Sequence, residues 1–402
     1  MKPLMKSLFF ICRILSPDTR PETNDELRAK MNSASPDWET ALLVAGEYLV
    51  TPTVWKALEV KGLADLVPKE VRTYLSEVHR LNAERNRRIK EQTVEALRKL
   101  NSSGIEPILL KGGVGLFVNW LRDPGSRIMV DVDFLVKPEC SQKALEVFVQ
   151  LGYTPAENPV SQPRQYRHHL EPLVRPGDPA FVELHTRLEH AMADIVINTG
   201  DVWINSRVIE VDRIAFRILS PYHFILHEVI HSQVNEARFH LGSIDVRHLY
   251  DLAEAWAGLV QSVDWQRVMA TFRKHDMEII LLGYLFMAHR LFGIVMPDSV
   301  QPNLRTRFHY IRCLMQVYLP RNTMTRILLQ IVSDFSALQL TRRFGCANTF
   351  RDLTKWRRYL FMDLCRRYIF QRQDLSLVHL PLAGNVSHMK MFSRKPKRSD
   401  GR

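Results

Sequence analysis

Two aspartates separated by one residue, Asp131 and Asp133, lie within the apolar run 128–136. The β-branched and aromatic residues of this run predict a strand, where residues two apart project from the same face. Two neighbouring carboxylates repel each other, and burying both unpaired would be costly. A divalent cation held by oxygen ligands, Mg²⁺ above all, would remove that cost. The alternative is an edge strand with a solvated acidic face.

A second predicted strand, residues 105–110, runs directly into Lys111, Gly112 and Gly113, and a helix is predicted over 114–121. A strand, a glycine pair and a helix in this order can present backbone N–H groups and a positive helix end to a phosphate. Lys111 adds a mobile cation. The pattern therefore predicts a phosphate-binding turn beside the aspartates, although a glycine pair by itself is also typical of a simple turn.

A third carboxylate, Glu183, lies on the second strand of a predicted hairpin, 168–174 with 180–185, whose connection contains Pro and Gly. Glu183 and His185 would share one face of that strand. Glu183 could bind a metal or accept a proton from an incoming hydroxyl. His185 could orient the acceptor, hydrogen-bond a carboxylate, or simply end the strand.

These motifs together resemble the uncharacterised bacterial nucleotidyltransferase family of the polymerase-β superfamily. That family carries a Leu-Lys-Gly strand end, an Arg-x-x-x-Asp-x-Asp strand and a later acidic-x-His strand, and here Arg127 precedes Asp131 by four residues. The resemblance extends from Trp38 through the helix at 247–251. Gly113 is farther from Asp131 than in the wider superfamily, and Lys-Gly-Gly also resembles abortive-infection nucleotidyltransferase toxins.

The resemblance implies a two-metal phosphoryl-transfer site with Mg²⁺ or Mn²⁺ and an NTP as donor. Asp131 and Asp133 would bind the catalytic ion and the ion that accompanies the triphosphate, while Glu183 would help to hold the catalytic ion. A nucleoside monophosphate would be joined to a hydroxyl acceptor, with release of pyrophosphate. The acceptor stays open between a small molecule, a protein and RNA. A non-catalytic nucleotide-binding or scaffold protein of the same fold is the alternative class.

The remaining predicted site residues form two groups, those that would contact the nucleotide and those that would contact the substrate or support the metal ligands. Predicted nucleotide contacts are Lys111, Gly112, Gly113 and Arg127. Predicted substrate contacts, or residues supporting the metal ligands, are His185, Arg247 and Asp251. Arg127 could instead pair with the aspartates, and the i,i+4 spacing of Arg247 and Asp251 is also typical of a helix salt bridge.

A competing motif occurs farther along the chain, where His227, Glu228 and His231 fit the His-Glu-x-x-His pattern of zinc peptidases. A peptidase needs a third zinc ligand, which Asp251 or Glu254 could supply. Alternatively, the helix buries its apolar face and its histidines line a substrate cleft.

Composition favours a cytoplasmic enzyme with no transmembrane segment. The chain has 402 residues, of which 46% are hydrophobic, and its apolar runs are far shorter than the ~20 residues that span a bilayer. The N-terminus lacks a full secretory signal pattern. Its five cysteines are scattered and without Cys-x-x-Cys spacing, as expected of reduced thiols.

Charge is concentrated in the C-terminal region. Residues 341–402 contain 15 Lys and Arg against four Asp and Glu, while the whole chain carries a formal net charge of +12. Aromatic residues alternate with these basic residues, a pattern that could contact RNA or an anionic surface. The alternative is an amphipathic helix whose aromatic residues pack on the core while the arginines extend to solvent.

The predicted fold class is α+β, a nucleotidyltransferase-like mixed sheet with helical N-terminal and C-terminal regions. The predicted segments are a poorly structured N-terminus (1–35), a helical N-terminal region (36–103), the catalytic module (104–215), a helical C-terminal domain (216–375) and a basic flexible tail (376–402).

Overall fold

The structure, a computed structural model, describes residues 3–33, 36–118, 123–156, 169–189, 196–236 and 238–318. All of these residues belong to one compact unit, Met1–Ser336. The basic C-terminal region, the predicted tail and the end of the predicted helical domain lie outside the described residues. Among the described helices, none combines the length and the apolar character needed to cross a membrane.

The N-terminal residues form two helices, so the prediction of a poorly structured segment at 1–35 is wrong. Helix α1 spans Pro3–Leu15 and α2 spans Pro21–Ser33. In both helices the first residue is a proline, where the missing N–H breaks no intrahelical bond. Helix α1 buries an apolar face that includes Leu8 and Ile11, and the Ser16 hydroxyl after it donates to the Phe292 carbonyl at 2.7 Å.

Three helices lead from this segment to the sheet. Helix α3 (Trp38–Glu47) is capped by the Asp37 side chain, and α4 spans Thr51–Val60. Helix α5 spans Lys69–Ser102, within the helical region predicted over 36–103.

The buried face of α5 is more polar than a hydrophobic stripe predicts. Leu81 is 51% exposed, whereas Asn82 and Asn86 are buried. The Asn82 amide donates to the carbonyls of Gly125 and Arg127 at 2.8 and 3.0 Å. These carbonyls need partners because they are removed from water, so α5 holds the segment leading into the catalytic strand.

Replacing Asn86 with Ala is expected to destabilise the fold by about 1–3 kcal/mol. The Asn86 amide donates to the carbonyls of Pro124 and Arg127 at 2.6 and 2.7 Å, and both acceptors would lose this donor. Urea unfolding of Asn86→Ala measures the loss. Arg80→Ala, on the same helix in an exposed pair with Glu77, should change little, and equal effects of the two substitutions would contradict this role of Asn86.

A mixed seven-stranded sheet lies at the centre of the described chain, which confirms the predicted α+β class. Its strands are β1 (Ile108–Leu109), β2 (Asp131–Leu135), β3 (Thr154–Pro155), β4 (Leu173–Val174), β5 (Phe181–His185), β6 (Arg207–Val211) and β7 (Ile214–Ile218). They are ordered β3-β4-β5-β2-β1-β7-β6. The short helices α6 (Lys111–Gly115), α7 (Ser141–Gln150) and α8 (Thr199–Asn205) connect strands. A strand is thus present in each predicted segment, but β1, β2 and β4 are all shorter than expected, and α6 begins and ends earlier.

A helical region follows the sheet and begins at Pro221, since β7 continues to Ile218, beyond the predicted boundary at 216. Ser220 caps α9 (Pro221–Val229), which continues as a π-helix over Ile230–Asn235. The later helices are α10 (Arg238–Leu241), α11 (Val246–Leu259), α12 (Trp265–Lys274), α13 (Glu278–Phe292) and α14 (Leu304–Tyr318). One hydrophobic core contains side chains from α1, α3, α4, α9, α11 and α13. The N-terminal helices therefore pack with this region.

Candidate active site

Two neighbouring strands at the middle of the sheet bring the predicted acidic residues together. Strand β2 pairs in parallel with β5, and the register places Asp133 opposite Glu183. The His185 Nε2 lies 2.8 Å from Asp133 Oδ1 and 3.4 Å from Glu183 Oε2. Of the roles considered for His185, the structure therefore shows the hydrogen bond to a carboxylate.

Lys111 reaches the same aspartate from the end of β1. Its Nζ donates to Asp133 Oδ1 at 2.8 Å, so two nitrogen donors converge on one carboxylate oxygen. Lys111 has a backbone φ of 47°, in the left-handed region that costs a non-glycine residue about 1–2 kcal/mol. Lys111 adopts this conformation at the turn from β1 into α6, and its side chain extends from that turn to Asp133.

The two aspartates differ in their electrostatic setting. Burial alone would raise the pKa of Asp133, but Lys111 and the hydrogen bond from His185 outweigh it and hold that pKa well below its usual range. Burial and the adjacent Asp133 charge raise the pKa of Asp131 to about 6. Asp133 is therefore ionised throughout the neutral range, whereas Asp131 is the carboxylate that titrates near neutrality.

His185 is charged at neutral pH in this setting. Burial would lower its pKa, but the bonds to Asp133 and Glu183 raise it to about 9. Burial likewise opposes ionisation of Glu183, yet the bond to His185 leaves the Glu183 pKa below its usual value. Three carboxylates thus face two cations, Lys111 and His185, and the cluster keeps an excess of negative charge.

The donor set of this cluster fits a hard divalent cation. The ligand atoms of Asp133, Glu183 and His185 lie within 4.8 Å of one another. Asp131 is outside this group but close enough for the Asp133 and Glu183 charges to raise its pKa, and its side chain forms no hydrogen bond or ion pair with the other described residues. Carboxylate oxygens are the ligands that Mg²⁺ and Mn²⁺ prefer.

Arg127 does not pair with Asp131. Its Nε donates to Asp251 Oδ2 at 2.9 Å, and the two side chains are 11% and 3% exposed. Asp251 therefore joins α11 to the segment before β2. The predicted helix salt bridge between Arg247 and Asp251 is not among the ion pairs of the described residues, where Arg247 instead contacts His248 at 3.4 Å.

The two glycines after Lys111 have different surroundings. A Cβ on Gly112 would overlap the Arg127 guanidinium and would lie 2.8 Å from Met129 Sδ. A Cβ on Gly113 would meet Val132 and Leu109 at ordinary distances of 3.6 and 3.7 Å. Close packing of Arg127 thus requires glycine at 112, but no such contact requires it at 113.

Gly112→Ala is expected to destabilise the protein by about 1–3 kcal/mol, because Arg127 is held by Asp251 and cannot move without breaking that pair. Gly113→Ala is the matched control and should be neutral or slightly stabilising, since Ala favours the helix. Thermal or urea unfolding of both variants tests this difference. A larger loss for Gly113→Ala would show that the packing at Gly112 is wrongly assigned.

Arg85 on α5 is a residue that the sequence motifs do not identify. It donates to the carbonyls of Met129 and, at 2.7 Å, Pro179, which precede β2 and β5. One side chain therefore holds the starts of both acidic strands. The sequence feature that could have indicated this role of Arg85 is the pair of polar residues Asn82 and Asn86, which occupy buried positions of α5.

The His-Glu-x-x-His segment lies at the end of α9 and the start of the π-helix, with His227 and Glu228 buried, and its partners differ from those expected of a peptidase. Glu228 Oε2 lies 3.4 Å from His248 Nδ1, and Asp251, a proposed third ligand, is bonded to Arg127. Burial lowers the pKa of both His227 and His231 to about 3, so both imidazoles are neutral.

Comparison with known proteins identifies the family of this chain. The model of a family described as uncharacterised nucleotidyltransferase matches residues 34–293, a span that contains β1, β2, β5 and α11. The chain belongs to this family. Neither a curated protein nor a solved structure matches it. The resemblance seen in the short motifs is confirmed, and the family supports a transferase activity of the nucleotidyl class.

Proposed function

We propose that the protein transfers a nucleoside monophosphate from an NTP to a hydroxyl acceptor, with Asp131, Asp133 and Glu183 as ligands of Mg²⁺ or Mn²⁺. The observation that carries this proposal is the parallel register of β2 and β5, which sets Asp133 opposite Glu183. When bound, the ions would stabilise the attacking and leaving oxygens and the charge of the triphosphate.

Lys111 is the proposed phosphate contact at the end of β1. The Gly113 N–H donates to the Leu110 carbonyl at 3.1 Å, so the backbone donors left for a phosphate are those of Lys111 and Gly112. Helix α6 has only five residues, and its dipole contributes less than the ammonium charge. Arg127 supports this turn through its packing on Gly112, and its pairing with Asp251 favours a positioning role over the predicted nucleotide contact.

Glu183 is the proposed proton acceptor for the incoming hydroxyl, or a ligand of the ion that activates it. Its lowered pKa keeps it ionised at neutral pH, as either role requires. His185 would hold the Glu183 and Asp133 carboxylates in place.

The acceptor is defined by its hydroxyl alone, and small molecules, protein side chains and RNA ends all carry one. We propose a cytoplasmic reaction, where NTPs are abundant, and an RNA contact through the basic residues 341–402, which lie outside the described part of the chain.

Transfer of an α-labelled nucleotide tests the function. Each NTP is incubated with the protein, Mg²⁺ and separated RNA, protein and small-molecule fractions, with Asp133→Asn as the control. Label that enters one fraction with the wild type alone supports nucleotidyl transfer at this site. Tight NTP binding without label transfer to any fraction would favour the non-catalytic nucleotide-binding alternative.

A further inference from the structure

A second cluster of potential metal ligands lies outside the acidic site. It consists of Glu189, a few residues after β5, with His227 on α9 and His231 on the π-helix. Glu189 and His227 are buried, and the His231 side chain is 17% exposed. Two imidazoles and one carboxylate form a set that suits zinc-like ions better than Mg²⁺.

The distances within this cluster match those of a metal-bound set. Glu189 Oε1 lies 3.3 Å from His227 Nε2 and 3.5 Å from His231 Nδ1. Metal–ligand bonds of about 2.0–2.1 Å in tetrahedral geometry place ligand atoms about 3.3 Å apart. The carboxylate oxygen therefore already lies at about the length of a tetrahedral edge from each of the two ring nitrogens, and all three ligand atoms lie within 4.8 Å of one another.

The surrounding residues orient the ligands. The Asn235 amide donates to the other Glu189 oxygen, Oε2, which leaves Oε1 facing the histidines. The second ring nitrogen of His231 faces Glu236 Oε1 at 3.6 Å. A metal-binding histidine whose other nitrogen faces a carboxylate is a recurring arrangement at zinc sites.

The α-helix changes to a π-helix at the position of His231. Residues Ile230–Asn235 form a π-helix, a rare conformation that often occurs at functional sites. His227 Nε2 is buried, and its contact with Glu189 Oε1 does not have hydrogen-bond geometry. A buried polar nitrogen of this kind normally has a partner, and a cation between it and Glu189 would supply one.

We propose that Glu189, His227 and His231 bind one zinc-like divalent cation through Oε1, Nε2 and Nδ1. The partly exposed side of His231 leaves the fourth position to water. Glu228 would not act as the base of a peptidase, because its carboxylate faces His248. The ion would join the segment after β5 to α9, next to the acidic site but independent of its Mg²⁺.

Metal binding can be measured without any transfer assay. Chelator-treated, tag-free protein is titrated with Zn²⁺ calorimetrically and with Co²⁺ by visible absorption. One tight Zn²⁺ site and an intense, tetrahedral-type Co²⁺ spectrum are expected. The absence of tight Zn²⁺ binding, or a weak octahedral-type Co²⁺ spectrum, would overturn the proposal. Because this measurement uses the wild-type protein, it does not depend on the folding of any variant.

Substitutions then assign the ligands. Glu189→Gln and His227→Gln are expected to weaken Zn²⁺ binding by more than ~100-fold, and Glu236→Gln by ~10–100-fold. His223→Gln is the matched control, since His223 is a buried histidine of α9 bonded to Ser220 at 2.8 Å, and it should leave affinity unchanged. A larger loss for Glu236→Gln than for Glu189→Gln would overturn this ligand set.

Substitution of the two aspartates of the acidic site is the last control for Zn²⁺ binding. The Asp131→Asn/Asp133→Asn double variant should retain the tight Zn²⁺ site, because neither aspartate belongs to it. Loss of Zn²⁺ binding in that variant would assign the metal to the acidic site and refute the separate one. Failure of nucleotidyl transfer alone would leave the Zn²⁺ result unaffected.

Discussion

Asp131→Asn is expected to abolish nucleotidyl transfer while it stabilises the metal-free protein at pH 7. Activity should fall by about 10³-fold or more, because a bound ion supplies several kcal/mol of transition-state stabilisation. The opposite effect on stability follows from the pKa of about 6 for Asp131 in the folded protein, against about 3.9 in an unfolded chain.

The sign of the stability effect depends on pH. A group whose pKa is raised by folding adds stability below its unfolded pKa, and this contribution is lost as pH rises through the folded value. At pH 7 the ionised Asp131 therefore lowers the stability of the metal-free protein by about 2–3 kcal/mol relative to Asn. The stabilisation by Asn should diminish as pH falls from 7 to 4.

Urea unfolding in chelator at pH 7 and pH 4 measures this effect. Asp212→Asn is the control, since Asp212 is exposed at the β6–β7 turn with a φ of 49°, a conformation that Asn tolerates. That substitution should change stability little at either pH. Destabilisation by Asp131→Asn at pH 7, or transfer activity close to the wild type, would contradict the assigned environment of Asp131.

Lys111→Met is expected to lower both stability and activity, and added Mg²⁺ should restore part of the stability. Lys111 pairs with Asp133, whose side chain is 2% exposed, and removing one partner of a buried pair costs about 3 kcal/mol or more. Transfer should fall by about 10²-fold, because the proposed phosphate contact is lost. A divalent ion at the carboxylates would replace the missing positive charge.

Thermal unfolding of Lys111→Met with and without Mg²⁺ tests this expectation. Mg²⁺ should raise the melting temperature of the variant more than that of the wild type. Lys143→Met, at an exposed position of α7, should respond to Mg²⁺ as the wild type does. An equal Mg²⁺ effect in Lys111→Met and the wild type would show that Lys111 does not neutralise the metal-binding carboxylates.

The residues of the acidic site could be predicted because strand periodicity is local. Alternation alone places Asp131 and Asp133 on one face, and Glu183 and His185 on another strand's face. The register that sets Asp133 opposite Glu183 could not be predicted, since it depends on strands 50 residues apart packing between helices. The pair of Arg127 with Asp251 could not be predicted either, because 124 positions separate the two residues in the sequence.

Other differences arise from packing that a hydrophobic pattern does not encode. Asn82 and Asn86 occupy buried positions of α5 because loop carbonyls need donors there, whereas Leu81 faces solvent. Prolines and polar residues suggested a poorly structured N-terminus, yet the apolar face of α1 packs into the core shared with α13. Glu189 carries no motif, and only folding places it beside His227.

Binding of an NTP in the presence and absence of Mg²⁺ is the most direct test of the proposed site at Asp131, Asp133 and Glu183. Calorimetric titration of the wild type with each of the four NTPs should show binding that requires Mg²⁺, with a preferred base. The Asp131→Asn/Asp133→Asn variant should show none. Binding that is equally strong in that variant, or that does not depend on Mg²⁺, would contradict a metal-dependent nucleotidyltransferase site at these carboxylates.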